Sequence, residues 1–133
     1  MEIMPVITED IKGAMQGIIP STIVTCDAEG VPNVAYISQV YYVDDEHVAL
    51  SHQFFNKSIR NIHENPQLSV CIVSPETCQM WRIDGLYLRS ETEGKLYEEM
   101  SGQLEAIASM MGMENVLKLK SADVYKILKL EKI

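Results

Sequence analysis

Apolar, β-branched and aromatic residues gather in six segments of the chain, which is typical of strands separated by polar turns. Clear turns are DAEG at 27–30 and DDE at 44–46. Gly85, inside the fifth segment, predicts a bulge or a bend, because a residue without a side chain weakens a regular strand. The six predicted strands are STIVTC, PNVAYISQVYYVD, HVALSH, QLSVCIVS, MWRIDGLYLRSE and DVYKILKLEKI, the last of which is a closing strand over 123–132.

Three other segments repeat apolar residues at every third or fourth position, which predicts helices with one buried face. The first helix is predicted over 8–18, with Thr8 at its start and Pro20 beyond its end. The second is the short segment NKSIRNIHEN, and the third runs over 95–112. The apolar residues at these spacings are Ile11, Met15 and Ile18 in the first helix, Ile59 and Ile62 in the second, and Leu96, Met100, Leu104, Ile107 and Met111 in the third.

Strands joined mainly by tight turns, with only two helices between them, predict a mainly β fold: an antiparallel β-barrel with peripheral helices. Parallel strands would need a crossover after nearly every strand. A length of 133 residues suits one domain. We therefore expect a single domain over 1–133, in which the barrel strands and the short helix occupy 20–92.

The charge balance limits the partners of the protein. A formal net charge of -8 without a basic block argues against nucleic acid, whose phosphates demand clustered Lys and Arg. No stretch reaches the roughly 18 apolar residues that span a bilayer, and no targeting segment is recognisable. We therefore expect a cytoplasmic protein without a membrane partner. His47 and His63 lack partners at ligand spacing, so no metal site is predicted.

One stretch places basic and hydroxyl side chains where a strand gives way to a helix. Lys57 and Ser58 stand at the start of the short helix, directly after the polar segment at 51–53. A helix N-terminus presents unpaired N–H groups and a partial positive charge, so a phosphate is favourable there. The same residues also fit a helix that Asn56 caps and whose Lys57 and Arg60 face solvent. From the residues alone, both interpretations stay open.

Four short phrases, DAEGVPNV, ALSHQ, NKS and ENPQLSV, follow one another in an order that resembles the flavin-mononucleotide-binding split barrels related to pyridoxamine 5'-phosphate oxidase. The likeness covers residues 8–130 in the order of elements and residues 27–73 closely. Each phrase is degenerate, so the specificity lies in their order and spacing. The resemblance implies a six-stranded antiparallel split barrel that binds FMN, in a homodimer whose subunits share each cofactor site.

The resemblance also implies contacts to the phosphate end of FMN. Carried over by position, Ser51 and His52 would contact the ribityl phosphate arm, with Gln53 beside them. Lys57 and Ser58 would contact the phosphate itself.

Other positions correspond to the part of the family's site that surrounds the isoalloxazine ring. The backbone of Tyr36, Ile37 and Ser38 would line the ring. Trp81 and Arg82 would reach the ring edge, across the dimer interface.

Some positions depart from the pattern of the true oxidases. Those enzymes carry an Arg and a Lys where this chain has Ala35 and Val40, and their C-terminal Arg and His are missing from SADVYKILKLEKI. Oxidation of pyridoxamine phosphate is therefore not expected, although FMN binding is. A cation beside the flavin would favour its negatively charged reduced form, and either Arg82 or Arg89 would supply it.

Three hypotheses about function follow. The first is an FMN-dependent oxidoreductase that acts on an unknown small substrate. The second is a flavin or ligand sensor without turnover, and the third is a cofactor-free dimerisation domain. The sequence identifies no catalytic residue and no substrate.

Overall fold

The structure is a computed structural model that describes residues 7–15, 19–37, 39–53, 56–113, 116 and 118–133. Within these ranges the chain forms seven strands and three helices. In chain order they are α1 (Glu9–Gly13), β1 (Ser21–Cys26), β2 (Pro32–Ile37), β3 (Val40–Asp44), β4 (His47–His52), α2 (Asn56–Glu64), β5 (Gln67–Val73), β6 (Met80–Glu91), α3 (Lys95–Met110) and β7 (Ser121–Lys132).

The seven strands form one antiparallel sheet in the order β2-β1-β5-β6-β7-β4-β3. Strands β2 and β3 are the two ends of this order, yet only residues 38 and 39 separate them in the sequence. The sheet must therefore curl until its ends meet. One hydrophobic core contains buried side chains from every strand, among them Ile23, Ile37, Val40, Leu50, Val70, Ile83 and Tyr125. The predicted mainly β antiparallel barrel is confirmed.

The number of strands differs from the prediction, because PNVAYISQVYYVD is two strands and not one. The first part, β2, pairs with β1, whereas the second part, β3, pairs with β4 at the other end of the sheet. A change of pairing partner requires the strand to break. At the break the Gln39 side chain is buried and donates to the carbonyl oxygen of Met100 at 3.1 Å and to Oε1 of Gln103 at 2.6 Å.

Strand β7 begins two residues earlier than predicted and is buried on both faces from Ser121 to Tyr125. Tyr125 faces the barrel core. Ala122 and Val124 face outward and pack against α3 in a second core with Met100 and Leu104. Helix α3 therefore closes the outer face of β4 and β7.

The remaining elements agree with the sequence in kind and differ in length. Helix α1 is described only over Glu9–Gly13, and Ile18 of the predicted helix lies outside the described residues. The predicted bulge is confirmed, since the register of β6 against β7 shifts between Asp84 and Gly85. No helix in the described part of the chain is long and apolar enough to cross a bilayer.

Candidate functional site

The predicted phosphate site lies at the start of α2, where two neighbouring residues have different surroundings. Ser58 is 2% exposed, and its hydroxyl oxygen accepts a hydrogen bond from Nδ2 of Asn33 on β2 at 3.3 Å. Lys57 is exposed, and no carboxylate of the described residues forms an ion pair with it. The side chain of Asn56 lies outside the described part. Ser58 thus anchors the helix to the barrel, while the Lys57 ammonium is available to an anion.

The three site residues predicted at the end of β4 differ in burial. Ser51 and Gln53 are buried, and Nε2 of Gln53 donates to Oγ of Ser51 at 3.1 Å. The backbone N–H of Ser51 donates to the carbonyl oxygen of Gln39 at 3.4 Å. The backbone bond of Ser51 therefore links the end of β4 to the break between β2 and β3, whereas the bond of Gln53 to Ser51 is local. His52 alternates with them and is only half-buried.

Tyr36 and Arg82, two of the residues predicted around the ring, share the outer face of the sheet. Tyr36 lies opposite Thr22, Thr22 opposite Cys71, and Cys71 opposite Arg82, so the four residues form one row across β2, β1, β5 and β6. Three strand spacings separate the ends of this row, about 14 Å. Tyr36 is 77% exposed.

The other predicted ring residues are less accessible. Ile37 and Trp81 are in the barrel core, with Trp81 only 4% exposed, so they offer little side-chain surface to a ligand. Ser38 lies outside the described residues. The Arg82 guanidinium is paired with Asp84 at 3.2 Å and with Glu131 at 3.1 Å.

A cavity of about 340 Å³, which sequence reasoning missed, lies between α2 and the adjoining ends of β4, β6 and β7. We call it the α2–β7 cavity. Ligand pockets in proteins begin at about 300 Å³. His52 is the predicted site residue that lines it. The cavity is also lined by apolar and aromatic residues of α2 and β6 and by polar residues of β6, β7 and the segment before β7. They include Ile59, Ile62, His63, Tyr87, Ser90, Lys120, Ser121 and Asp123.

A chain of hydrogen bonds converges on Asp123 inside this cavity. The hydroxyls of Ser90 and Ser121 both donate to Oδ1 of Asp123 at 2.7 Å. Since each serine has a single hydroxyl proton, Tyr87 must donate to Ser90 at 2.6 Å, and Nδ1–H of His52 must donate to Ser121 at 3.3 Å. Every bond of the chain therefore points toward Asp123.

The same surroundings shift the pKa values of two side chains. Burial lowers the pKa of His52, and this effect exceeds the opposing attraction of Asp123 for the imidazolium. Burial also raises the pKa of the Tyr125 phenol, and the charge of Asp123 raises it further. His52 is thus neutral near pH 7, with its proton on Nδ1. No set of His, Cys, Asp and Glu side chains in the described ranges is arranged to hold a metal ion.

The sequence contains only a weak signal for this cluster. Asp123 is an acidic residue between the apolar residues Ala122 and Val124, and that is the one feature that marks it. Its pairing with Ser90 joins residues 33 apart in the sequence and depends on the register of β6 against β7. Ser121 meets His52 through the register of β4 against β7. These registers cannot be obtained from local patterns.

Comparison with known families tests the family relationship that the four short sequence segments indicated. The sequence pattern of the family described as pyridoxamine 5'-phosphate oxidase matches residues 7–128. The chain belongs to the pyridoxamine 5'-phosphate oxidase family. The match includes β1 to β6, all three helices and the first eight residues of β7. Comparison with curated proteins gave no match.

Solved structures of similar fold support the split-barrel architecture of this family member. An FMN-binding protein from Syntrophomonas wolfei superposes with a TM-score of 0.73 at 18% identity, over 88% of this chain and 78% of that one. HupZ from Group A Streptococcus gives 0.70 at 20% identity, over 95% and 93%. HutZ, a heme storage protein from Vibrio cholerae, gives 0.61 at 19% identity, over 96% and 95%. At such identities the likeness concerns the fold.

Proposed function

We propose that the protein is a homodimeric flavoprotein that binds FMN and acts as an oxidoreductase on a small substrate. The observation that carries this proposal is the family match over residues 7–128, which includes the start of α2 where Lys57 is exposed. FMN would supply electron transfer to and from the substrate. The chain's own residues would bind and orient it.

The start of α2 suits a phosphate in four respects. The helix has nine residues and is long enough to present a partial positive charge at its first turn. Its first turn contains no acidic residue that would repel an anion. The exposed Lys57 adds a full charge, and a charge-assisted hydrogen bond to phosphate is stronger than a neutral one. Ser58, whose oxygen already accepts from Asn33, retains its hydroxyl proton for donation.

The outer face of the sheet suits the second half of the site. Tyr36 and Arg82 lie in one row on this face, and a second subunit packed there would bring its own row toward the first. Arg82 would then approach the flavin of the partner. Its pairing with Asp84 and Glu131 reduces its net charge, so its effect on the flavin would be smaller than that of an isolated arginine.

A true pyridoxamine phosphate oxidase is not proposed. The positions at which the oxidases use an Arg and a Lys hold Ala35 and Val40. Val40 is buried in the barrel core, so it offers no contact to a phosphate.

The visible spectrum of the purified protein, before and after titration with FMN, tests the proposal. We expect a flavin spectrum, one FMN per chain, and reduction followed by reoxidation in the presence of an electron donor and acceptor. FMN that binds but is never turned over with any donor would favour the sensor hypothesis. A colourless protein that fails to take up FMN would favour the dimerisation domain. A Soret band on addition of haem, without FMN uptake, would replace the proposal by haem binding.

A further inference from the structure

The α2–β7 cavity contains a buried carboxylate that the proposed flavin site does not use. Asp123 is 3% exposed and accepts both serine hydroxyls on the same oxygen, Oδ1. No described residue donates to Oδ2, although Asp123 lines the cavity and Oδ2 is not sealed from it. One oxygen of the carboxylate is therefore held by the two serines, whereas no described residue holds the other.

The hydrogen bonds reach this carboxylate from both sides of the cavity. Both bonds to Oδ1 measure 2.7 Å, which is an ordinary length for a well-formed hydroxyl hydrogen bond. Donors converge on Asp123 from both sides, through Ser90 and through Ser121, and an ionised carboxylate is a pure acceptor. A buried negative charge is costly unless a cation or further donors compensate for it.

We propose that the α2–β7 cavity binds a small organic cation: a primary ammonium group at Oδ2 of Asp123, carried on a compact apolar body. Ile59 and Ile62 of α2 and the ring of Tyr87 supply apolar walls. The Tyr87 ring is held in place by edge contacts with Tyr125 at 5.6 Å and with His63 at 6.4 Å between ring centroids. The walls are thus preformed, and a flat or branched hydrocarbon fits between them.

The other charged groups at the cavity are compatible with a cation. Lys120 lines the cavity but is exposed, so its ammonium can turn into solvent when a second cation enters. His52 is largely neutral near pH 7, because burial lowers its pKa. The formal net charge of -8 attracts cations to the protein as a whole. Asp123 remains the only fixed charge deep in the cavity among the residues described.

This proposal does not depend on flavin binding. The residues that hold the cation are on β7, β6 and α2, although His52, which is predicted to contact the phosphate arm of FMN, lines the same cavity. The experiment is therefore done on the protein both with and without FMN.

Calorimetric titration with benzylamine at about pH 7.5 tests the proposal, with benzyl alcohol as the neutral analogue of equal shape. The variant Asp123→Asn removes the charge and keeps the volume, and Asp45→Asn makes the same change in an exposed turn. We expect saturable benzylamine binding to the unmodified protein and to Asp45→Asn. We also expect at least tenfold weaker binding of benzyl alcohol, and of benzylamine to Asp123→Asn, because the charge-assisted hydrogen bond is lost.

Equal binding of the amine and the alcohol, or undiminished binding to Asp123→Asn, would overturn the proposal, and so would no binding to the unmodified protein. If Asp123→Asn does not fold, Ile59→Trp takes its place. Ile59 is only partly buried, and a tryptophan there would fill the cavity without touching the carboxylate. Full benzylamine affinity in a folded Ile59→Trp protein would likewise refute binding in this cavity.

Discussion

At the scale of single residues, Lys57 and Ser58 at the start of α2 differ in how much the fold depends on their side chains. Ser58 is buried against β2 through its bond with Asn33, so its replacement would disturb the position of the helix. Lys57 is exposed and lacks an ion-pair partner among the residues described, so its replacement should leave the fold intact. Lys57 is therefore the residue at which phosphate binding can be measured alone.

The variant Lys57→Ala should weaken FMN binding about tenfold or more and leave riboflavin binding nearly unchanged, because only FMN carries the phosphate. Fluorescence titration with both ligands measures this. Arg60→Ala is the matched control, since it removes the same charge from an exposed position one turn further along α2. Equal losses for FMN and riboflavin would contradict the phosphate contact.

His52 should make stability depend on pH. Burial lowers the pKa of His52 in the folded protein below its ordinary value of 6.5. The unfolded chain therefore takes up a proton first as the pH falls, and the free energy of unfolding decreases below about pH 6.5. This loss ends once the pH passes below the pKa of the folded form.

Urea denaturation at about pH 7.5 and about pH 5.5 measures this loss. In His52→Gln the decrease between the two pH values should be smaller than in the unmodified protein. The same decrease in both proteins would show that other groups cause it.

At the scale of elements, two glycines show how the strand and the helix differ in their need for space. A Cβ atom added at Gly85 in β6 would lie 3.3 Å from Cβ of Tyr125 on β7. At Gly102 in α3 no atom outside the helix lies within 4 Å of an added Cβ. The close packing at the bulge therefore disfavours a side chain at Gly85, whereas the glycine of α3 only weakens its helix.

These two positions should respond to alanine in opposite directions. Gly85→Ala should destabilise the protein by about 1–3 kcal/mol, because the added methyl group forces β6 and the Tyr125 side chain apart. Gly102→Ala should stabilise it by about 0.5–1 kcal/mol, because alanine loses less backbone entropy in a helix. Chemical denaturation of both variants is the measurement. A loss of stability in Gly102→Ala would indicate that α3 meets a neighbour there, such as a second subunit.

At the scale of the whole molecule, the outer face of β2, β1, β5 and β6 is where we expect a second subunit. Val34 and Tyr36, at 64% and 77% exposed, stand on β2 at one end of the sheet. No helix covers these two side chains among the described elements, in contrast to the outer face of β4 and β7 beneath α3. Exposed apolar residues that share a surface commonly mark an interface.

The variant Val34→Glu should convert the proposed dimer to monomers, because it puts one negative charge from each subunit into an apolar contact. Light scattering at micromolar concentration measures the change. Met110→Glu is the control, since Met110 is 74% exposed at the end of α3, away from that face. A dimer that survives Val34→Glu would move the interface elsewhere. An unmodified protein that is monomeric yet binds FMN tightly would rule out the shared site.

Local patterns in the sequence were sufficient to predict the order of strands and helices apart from the break between β2 and β3, the turn at 27–30, the bulge at Gly85 and the family. Each depends on residues that are close in the chain: apolar spacing, turn residues, or short phrases in a given order. The first turn of α2 with Lys57 belongs to the same group, because a helix start is specified by its own residues.

Tertiary structure alone decided the features that depend on pairing between distant segments. PNVAYISQVYYVD looks like one strand, but its two halves pair at opposite ends of the sheet, and only closure of the barrel imposes the break. Trp81 points into the core because of the register of β6 with its neighbours. Asp123 meets Ser90 and Ser121, and Ser121 meets His52, through the registers of β7 with β6 and β4. Register is set by the packing of the entire core, which no local window of sequence contains.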